Sequence, residues 1–267
     1  MRRLLCGGGL LAGASAAVVA LMSATGSAAA RHGVVIPATP GRPPLAGRTF
    51  KSANWSGYVV TSHKHRITAV TGAFTVPSAG TAKGFASNWT GIGGFTRQDL
   101  IQAGTSEFPK GSRVYFAWYE LLPGPEKPLK NCKGNASCPV AAGDKMTVTI
   151  KQLPSGRWRI RVADSSNGWR WTKMVKYPSS RSSADWILEA PTVGGAQSTL
   201  PHGLGISSFG PTSTYTANGS SHRIARGNPI TVVMEKRNGS PEATPSPLAS
   251  DGQSFNVCVY TSSCPTP

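Results

Sequence analysis

The chain has 267 residues, enough for one large all-β domain or two small ones. Its 28 Lys+Arg against 11 Asp+Glu give a formal charge of +17. Such a balance suits an anionic partner or a solvated basic surface, and it leaves few carboxylates to serve as catalysts. Neither a dyad-type D-T-G or D-S-G pair nor an H-E-x-x-H helix occurs, and no G-x-S-x-G elbow, which argues against the commonest aspartic, zinc and serine hydrolase designs.

The N-terminus reads M-R-R, then an apolar stretch from Leu4 to Met22, then S-A-A-A ending at Ala30. A charged n-region, an apolar h-region and a small-residue cleavage site predict a secretory signal peptide over 1–30, with a single membrane anchor as the alternative. Loss of Arg2 and Arg3 with that signal lowers the charge to +15. Residues 31–51 are rich in Pro, Gly and Arg and lack apolar periodicity, so they read as a flexible leader or short pro-segment. A single β-domain is expected over 52–267.

From Asn54 onward the chain reads as short strands rich in β-branched and aromatic residues, bounded by Gly, Pro, Asn or Ser. W-S-G-Y-V-V-T begins the series at Trp55, followed by I-T-A-V-T-G-A-F-T-V-P from Ile67 and the buried-looking L-I-Q-A-G from Leu100. V-Y-F-A-W-Y-E-L-L starts at Val114, K-M-T-V-T-I at Lys145, R-W-R-I-R-V at Arg157 and G-W-R-W-T-K-M-V at Gly168. S-A-D-W-I-L-E-A at Ser183, P-I-T-V-V-M-E at Pro229 and S-F-N-V-C-V-Y at Ser254 complete it, with 237–250 as a Pro/Ser loop. Clean alternation in R-W-R-I-R-V predicts one wet and one buried face. The scattered Lys and Arg fit such solvated faces. The expected fold is a sandwich or barrel of antiparallel strands.

Four cysteines remain after Cys6 leaves with the signal, as the close pairs Cys132/Cys138 and Cys258/Cys264. In an exported protein they predict two local disulfides, with other pairings open. The five histidines (His32, His63, His65, His202, His222) lie in polar, loop-like surroundings, and H-K-H at 63–65 reads as a turn. Chemistry is therefore sought in polar groups set among apolar strand residues. Asp185, Ile187 and Glu189 share one strand face, Glu120 shares a face with Phe116 and Trp118, and Gln102 shares one with Leu100. Each carboxylate is expensive there unless paired, and edge ion pairs with Lys or Arg are the plain alternative.

Six blocks in order carry more: N-W-S-G-Y at 54–58, W-T-G-I-G-G at 89–94, L-I-Q-A-G at 100–104, F-A-W-Y-E-L-L-P at 116–123, A-G-D at 142–144 and A-D-W-I-L-E at 184–189. Together they resemble the glutamic peptidases, also called eqolisins, family G1. The resemblance implies a sandwich of two curved antiparallel sheets, of concanavalin or lectin-like jelly-roll form. It also implies a secreted endopeptidase that needs no metal and no cofactor. Its catalytic glutamine and glutamate fall on Gln102 and Glu189. Trp89, Glu120 and Trp55 take substrate-binding positions and Asp185 a supporting one.

The implied reaction is direct attack of water on a peptide bond, with Glu189 as general base and Gln102 stabilising the oxyanion. The expected protein is a monomer acting on polypeptide, with no specific nucleic acid partner and no membrane association after signal removal. Members of the fungal type carry acids at the positions of Gly93 and Ser106, whereas here only the neighbouring Glu107 is acidic. That departure bears on pH optimum and substrate preference. Two other classes stay open on sequence: a carbohydrate- or polymer-binding module using Trp169 and Trp171, and a glycosidase pairing Glu189 with Asp185 or Glu120.

Overall fold

A computed structural model of the chain describes residues 30–38, 48–64, 66–81, 83–109 and 115–267; most of the signal-peptide reading (1–29) lies outside them. In chain order the strands are β1 (Ala30–Arg31), β2 (Thr49–Ser52), β3 (Trp55–Thr61), β4 (Ile67–Thr75), β5 (Ala86–Gly93), β6 (Leu100–Glu107) and β7 (Tyr115–Leu121). Next come β8 (Lys127–Pro128), β9 (Lys145–Leu153), β10 (Arg157–Asp164), β11 (Trp169–Lys176), β12 (Ser183–Glu189), β13 (Thr192–Val193) and β14 (Ala196–Gln197). The last are β15 (Ser207–Phe209), β16 (Thr214–Ala217), β17 (Ser220–Arg223), β18 (Ile230–Glu235), β19 (Pro241–Pro245) and β20 (Phe255–Val259). Among the described residues the only helix is a 3₁₀ turn, Ile224–Gly227.

One curved sheet runs β2–β18–β3–β12–β5–β6–β7–β8. The other runs β11–β10–β9–β4, and beyond β4 lie β16–β17 and β15–β20–β19. Strand β19 also pairs with β18, so the two sheets join along one side. Among the described residues every pairing is antiparallel, as expected, except that of the short edge strand β2 with β18, which is parallel.

The main core fills the space between the sheets. It includes Tyr58, Phe74, Ile92, Val148, Trp158, Ile160, Trp186 and Phe255. Each large side chain fully buried there contributes about 1.5–3 kcal/mol. A second, smaller cluster lies on the opposite face of the first sheet, with Trp55, Val59, Trp89, Leu100, Trp118 and Ile187. Because both faces of that sheet are covered, β5, β6 and β12 are buried along their whole length. This explains why they do not alternate in sequence as β10 does.

One sequence expectation is revised, since the 237–250 loop contains β19; the W-T-G-I-G segment, absent from the strands read in sequence, belongs to strand β5 despite its glycines. Gly93 has φ +97, and a Cβ there would meet the Asp99 carbonyl oxygen at 2.3 Å, so only glycine fits. The described part of the leader is also more ordered than its composition suggests. In its described residues β1 pairs with β13, and the Ile36 N–H and Val34 carbonyl bond the Asn54 side chain at 2.8 and 3.1 Å.

Candidate active site

Register brings the sequence candidates onto one sheet. Across β12, β5, β6 and β7, Asp185, Gly91, Gln102 and Glu120 form one row. Ile187, Trp89, Gly104 and Trp118 form the next, and Glu189, Ser87, Ser106 and Phe116 the one after. Directly paired residues of an antiparallel ladder project to the same side, so Glu189, Trp89, Gln102 and Glu120 all look out from the face carrying the smaller cluster. Trp55 on β3 stands opposite Glu189 and packs edge-on against Trp89, with ring centroids 4.8 Å apart. Two rows carry glycine at their middle. A Cβ on Gly104 would meet the Asn88 carbonyl oxygen at 2.1 Å and the Trp89 Cβ at 2.6 Å, so the glycine of L-I-Q-A-G lets β6 lie this close to β5.

The hydrogen bonds tie these side chains into two units. The Trp89 indole N–H donates to Glu189 Oε2 at 2.7 Å. The Gln102 amide donates through Nε2 to Glu120 Oε2 at 2.9 Å. Gln102 Oε1 and Glu120 Oε1 are fully buried and have no hydrogen-bond partner among the described residues. Such orphaned acceptors are costly unless the site supplies a donor when it works. Burial pushes the Glu120 carboxyl up to about 8, with His32 pulling it down and the charges of Glu189 and Glu126 adding to the rise. Glu120 is therefore protonated at neutral pH and below.

Asp185 is brought into the row of Gln102 but not onto Glu189. It accepts a hydrogen bond from the Ser183 hydroxyl at 3.3 Å, and burial raises its carboxyl well above the usual range. Ser106, in the row of Glu189, shares a 2.8 Å hydroxyl hydrogen bond with Ser87. Glu107 alternates to the other face, where it accepts from Thr105 Oγ1 at 2.6 Å, so it does not replace the acid expected at Ser106. The plain alternative of wet strand-edge ion pairs does not hold for these residues, because Glu120, Asp185 and Glu189 are buried, as is Gln102.

Sequence reasoning missed two participants. His32, read as a loop histidine in polar surroundings, is buried in the site. Its ring stacks on Trp118 with centroids 3.8 Å apart and planes 9° from parallel. Its Nε2 meets Glu126 Oε2 at 2.9 Å, and its Nδ1 lies 3.3 Å from Glu189 Oε2, too poorly aligned for a hydrogen bond. Burial alone would lower its pKa, but the contacts with Glu126 and Glu189 and their charges raise it to about 10. The adjoining Gly33 N–H donates to Glu189 Oε1 at 3.0 Å, and the Gly33 carbonyl accepts from the Trp55 indole at 3.1 Å. The leader thus occupies both oxygens of Glu189 together with Trp89. Neither R-H-G in the leader nor P-G-P-E-K around Glu126 carries a local signal of this role.

Both expected disulfides form, Cys132–Cys138 in the loop after β8 and Cys258–Cys264 at the end of β20. Among the described residues no group of three or more His, Cys, Asp or Glu is placed to hold a metal ion. Among them, too, no helix is long and apolar enough to cross a membrane. The tryptophans proposed for a binding module are not free platforms: Trp169 is buried and donates to the Pro139 carbonyl, and Trp171 packs on the Tyr119 ring.

The architecture is that of the glutamic peptidases. Scytalido-glutamic peptidase bound to a transition state analog inhibitor superposes with a TM-score of 0.61 at 16% identity, covering 78% of this chain and 98% of that one. SCP-B, an eqolisin in complex with the tripeptide Ala-Ile-His, gives 0.56 at 18% identity, with 78% and 98% covered. Aspergilloglutamic peptidase from Aspergillus niger gives 0.55 at 20%, covering 67% and 100%. No curated protein sequence matches. The model of the Peptidase A4 family matches residues 53–253, and the chain belongs to that family of glutamic peptidases.

Proposed function

We propose that the protein is an exported, monomeric endopeptidase that hydrolyses polypeptide by direct water attack, using Glu189 and Gln102. The observation that carries this reading is their shared face, each held by a dedicated partner, Trp89 on Glu189 and Glu120 on Gln102. Ionised Glu189 takes a proton from the attacking water and passes it to the leaving amine. The Gln102 amide N–H donates to the oxygen that gains charge as the tetrahedral intermediate forms. Glutamine suits this place because a second ionised carboxylate on the same water would repel Glu189, whereas an amide leaves one titrating group. Trp89 fixes the rotamer of Glu189, protonated Glu120 fixes that of Gln102, and Trp55 holds the peptide backbone. No metal or cofactor enters.

Export follows removal of the signal peptide at 1–30, and residues 31–51 serve as a pro-segment whose residues His32 and Gly33 sit on the catalytic carboxylate. What supports the inhibitory role is the leader's place against the catalytic carboxylate, where the Gly33 N–H donates to Glu189 Oε1 and the His32 ring lies 3.3 Å from Oε2, on the ground a bound substrate would take.

The test is hydrolysis of a denatured protein from about pH 2 to pH 7 by the purified exported chain, with pepstatin, chelator and a serine-protease inhibitor in separate arms. Gln102→Ala is expected to lower the rate by about 10² to 10³, the usual cost of one oxyanion donor. Glu189→Gln is expected to lose at least as much. A wild type that cuts nothing, or either variant retaining near-wild-type rates, would end the proposal.

A further inference from the structure

Beyond the catalytic pair, we propose that Trp118 and Glu126 form the pocket that selects the side chain on the acyl side of the scissile bond, and that its preferred occupant is the planar, cationic side chain of histidine. The inference rests on the peptidase reading and concerns which polypeptides that site cuts. The leader supplies the geometry. Its His32–Gly33 peptide nitrogen lies 3.0 Å from Glu189 Oε1, where the amine leaving a substrate would receive its proton. The Gly33 carbonyl is held by Trp55, so Gly33 is pinned at both its N–H and its carbonyl. A substrate threaded in the same direction puts its acyl-side residue where His32 stands.

The pocket discriminates by shape and charge together. Trp118 offers a flat wall on which the imidazole lies nearly parallel at 3.8 Å. Glu126, in the turn between β7 and β8 with a side chain only 6% exposed, receives the far ring nitrogen at 2.9 Å. The near nitrogen faces Glu189 at 3.3 Å. A phenyl ring would satisfy the wall and leave the Glu126 carboxylate buried without a partner, which costs more than the lost contact alone. A lysine ammonium would satisfy Glu126 without the stack. A glutamate would set two carboxylates together. Glu126 therefore acts as the specificity residue, and Trp118 as the surface that makes the choice planar.

The experiment uses the exported chain and peptides that differ only at residue X of an X-Gly-Val sequence, with His, Lys, Phe, Leu or Glu as X and the X–Gly bond as the one to be cut. Competition by the leader slows all of them alike, so ratios of kcat/KM are read. Wild type is expected to cut after His about tenfold to a hundredfold faster than after Phe, the range a hydrogen bond to a charged group supplies. Glu126→Gln is expected to lower that ratio at least tenfold, mainly through KM, and Glu126→Lys to turn the preference toward Glu. Thermal melts of both variants establish that each is folded, since a general loss of structure would lower all five rates and leave their ratios unchanged. Cleavage without preference for His, cleavage at other bonds, or an unchanged ratio in Glu126→Gln overturns the pocket while leaving the peptidase standing. Failure to cut any peptide or a denatured protein overturns both.

Discussion

Replacing His32 with alanine tests whether the leader restrains the enzyme. The substitution removes a charged hydrogen bond to Glu126 at 2.9 Å, an ionic contact with Glu189 at 3.3 Å and a ring stack on Trp118. Breaking a buried ion pair by removing one partner costs about 3–5 kcal/mol, because the remaining charge stays desolvated. The lower end applies here, since undocking of the leader lets water reach both carboxylates. About 3 kcal/mol weakens docking by about a hundredfold. The assay is the initial rate of hydrolysis of a denatured protein by freshly purified exported chain, without preincubation. His32→Ala is expected to start up to about a hundredfold faster than wild type, whereas Arg31→Ala, an exposed position, changes the rate little. After limited proteolysis of the leader the two chains should converge. A variant that starts as slowly as wild type would refute the restraint, and so would a persistent difference once the leader is gone.

Three further outcomes are expected. Glu120 is protonated up to about pH 8 in the folded chain, whereas an unfolded glutamate titrates near 4.3. The folded state thus keeps a proton that the unfolded chain releases; this stability is complete below about pH 4.3 and is lost as pH rises through 8. Glu120→Gln should flatten the fall of the unfolding free energy, measured by urea titration between pH 5 and pH 8, which in wild type amounts to a few kcal/mol at about 1.36 kcal/mol per pH unit. The imidazole of His32, followed by NMR, should titrate near 10 in wild type and well below that in Glu126→Gln; an unmoved midpoint would show that Glu126 does not hold it. Opening the Cys258–Cys264 bridge with a double serine variant should cost about 2 kcal/mol in denaturant unfolding, as expected for so short a loop.

The strands were legible where local chemistry sufficed. In R-W-R-I-R-V the alternation of cations with apolar residues reports one wet face, and β10 has that pattern in register with β9 and β11. It gave out at W-T-G-I-G, where glycine has low strand propensity and Gly93, at φ +97, is fixed by its approach to the Asp99 carbonyl. It failed again at Pro241–Pro245, whose composition reads as a loop until β18 and β20 pair with it.

For the site, Gln102, Glu120 and Glu189 stood out as polar residues in apolar strands, and their order along the chain matched a family. Their partnership was not legible locally. Gln102 reaches Glu120 across a ladder, and Glu189 is met by Trp89, 100 positions away. His32 and Gly33 lie in a segment of leader-like composition, and Gly33 meets Glu189 across 156 positions.

By itself, then, the sequence determined the all-β class, the cysteine pairs and the polar residues worth suspecting, because propensity, alternation and spacing act over a few residues. Only the tertiary structure decided which suspects share a face and what the leader covers. Register across four strands, and the packing of one imidazole between a tryptophan and two carboxylates, are set by contacts that no local pattern encodes.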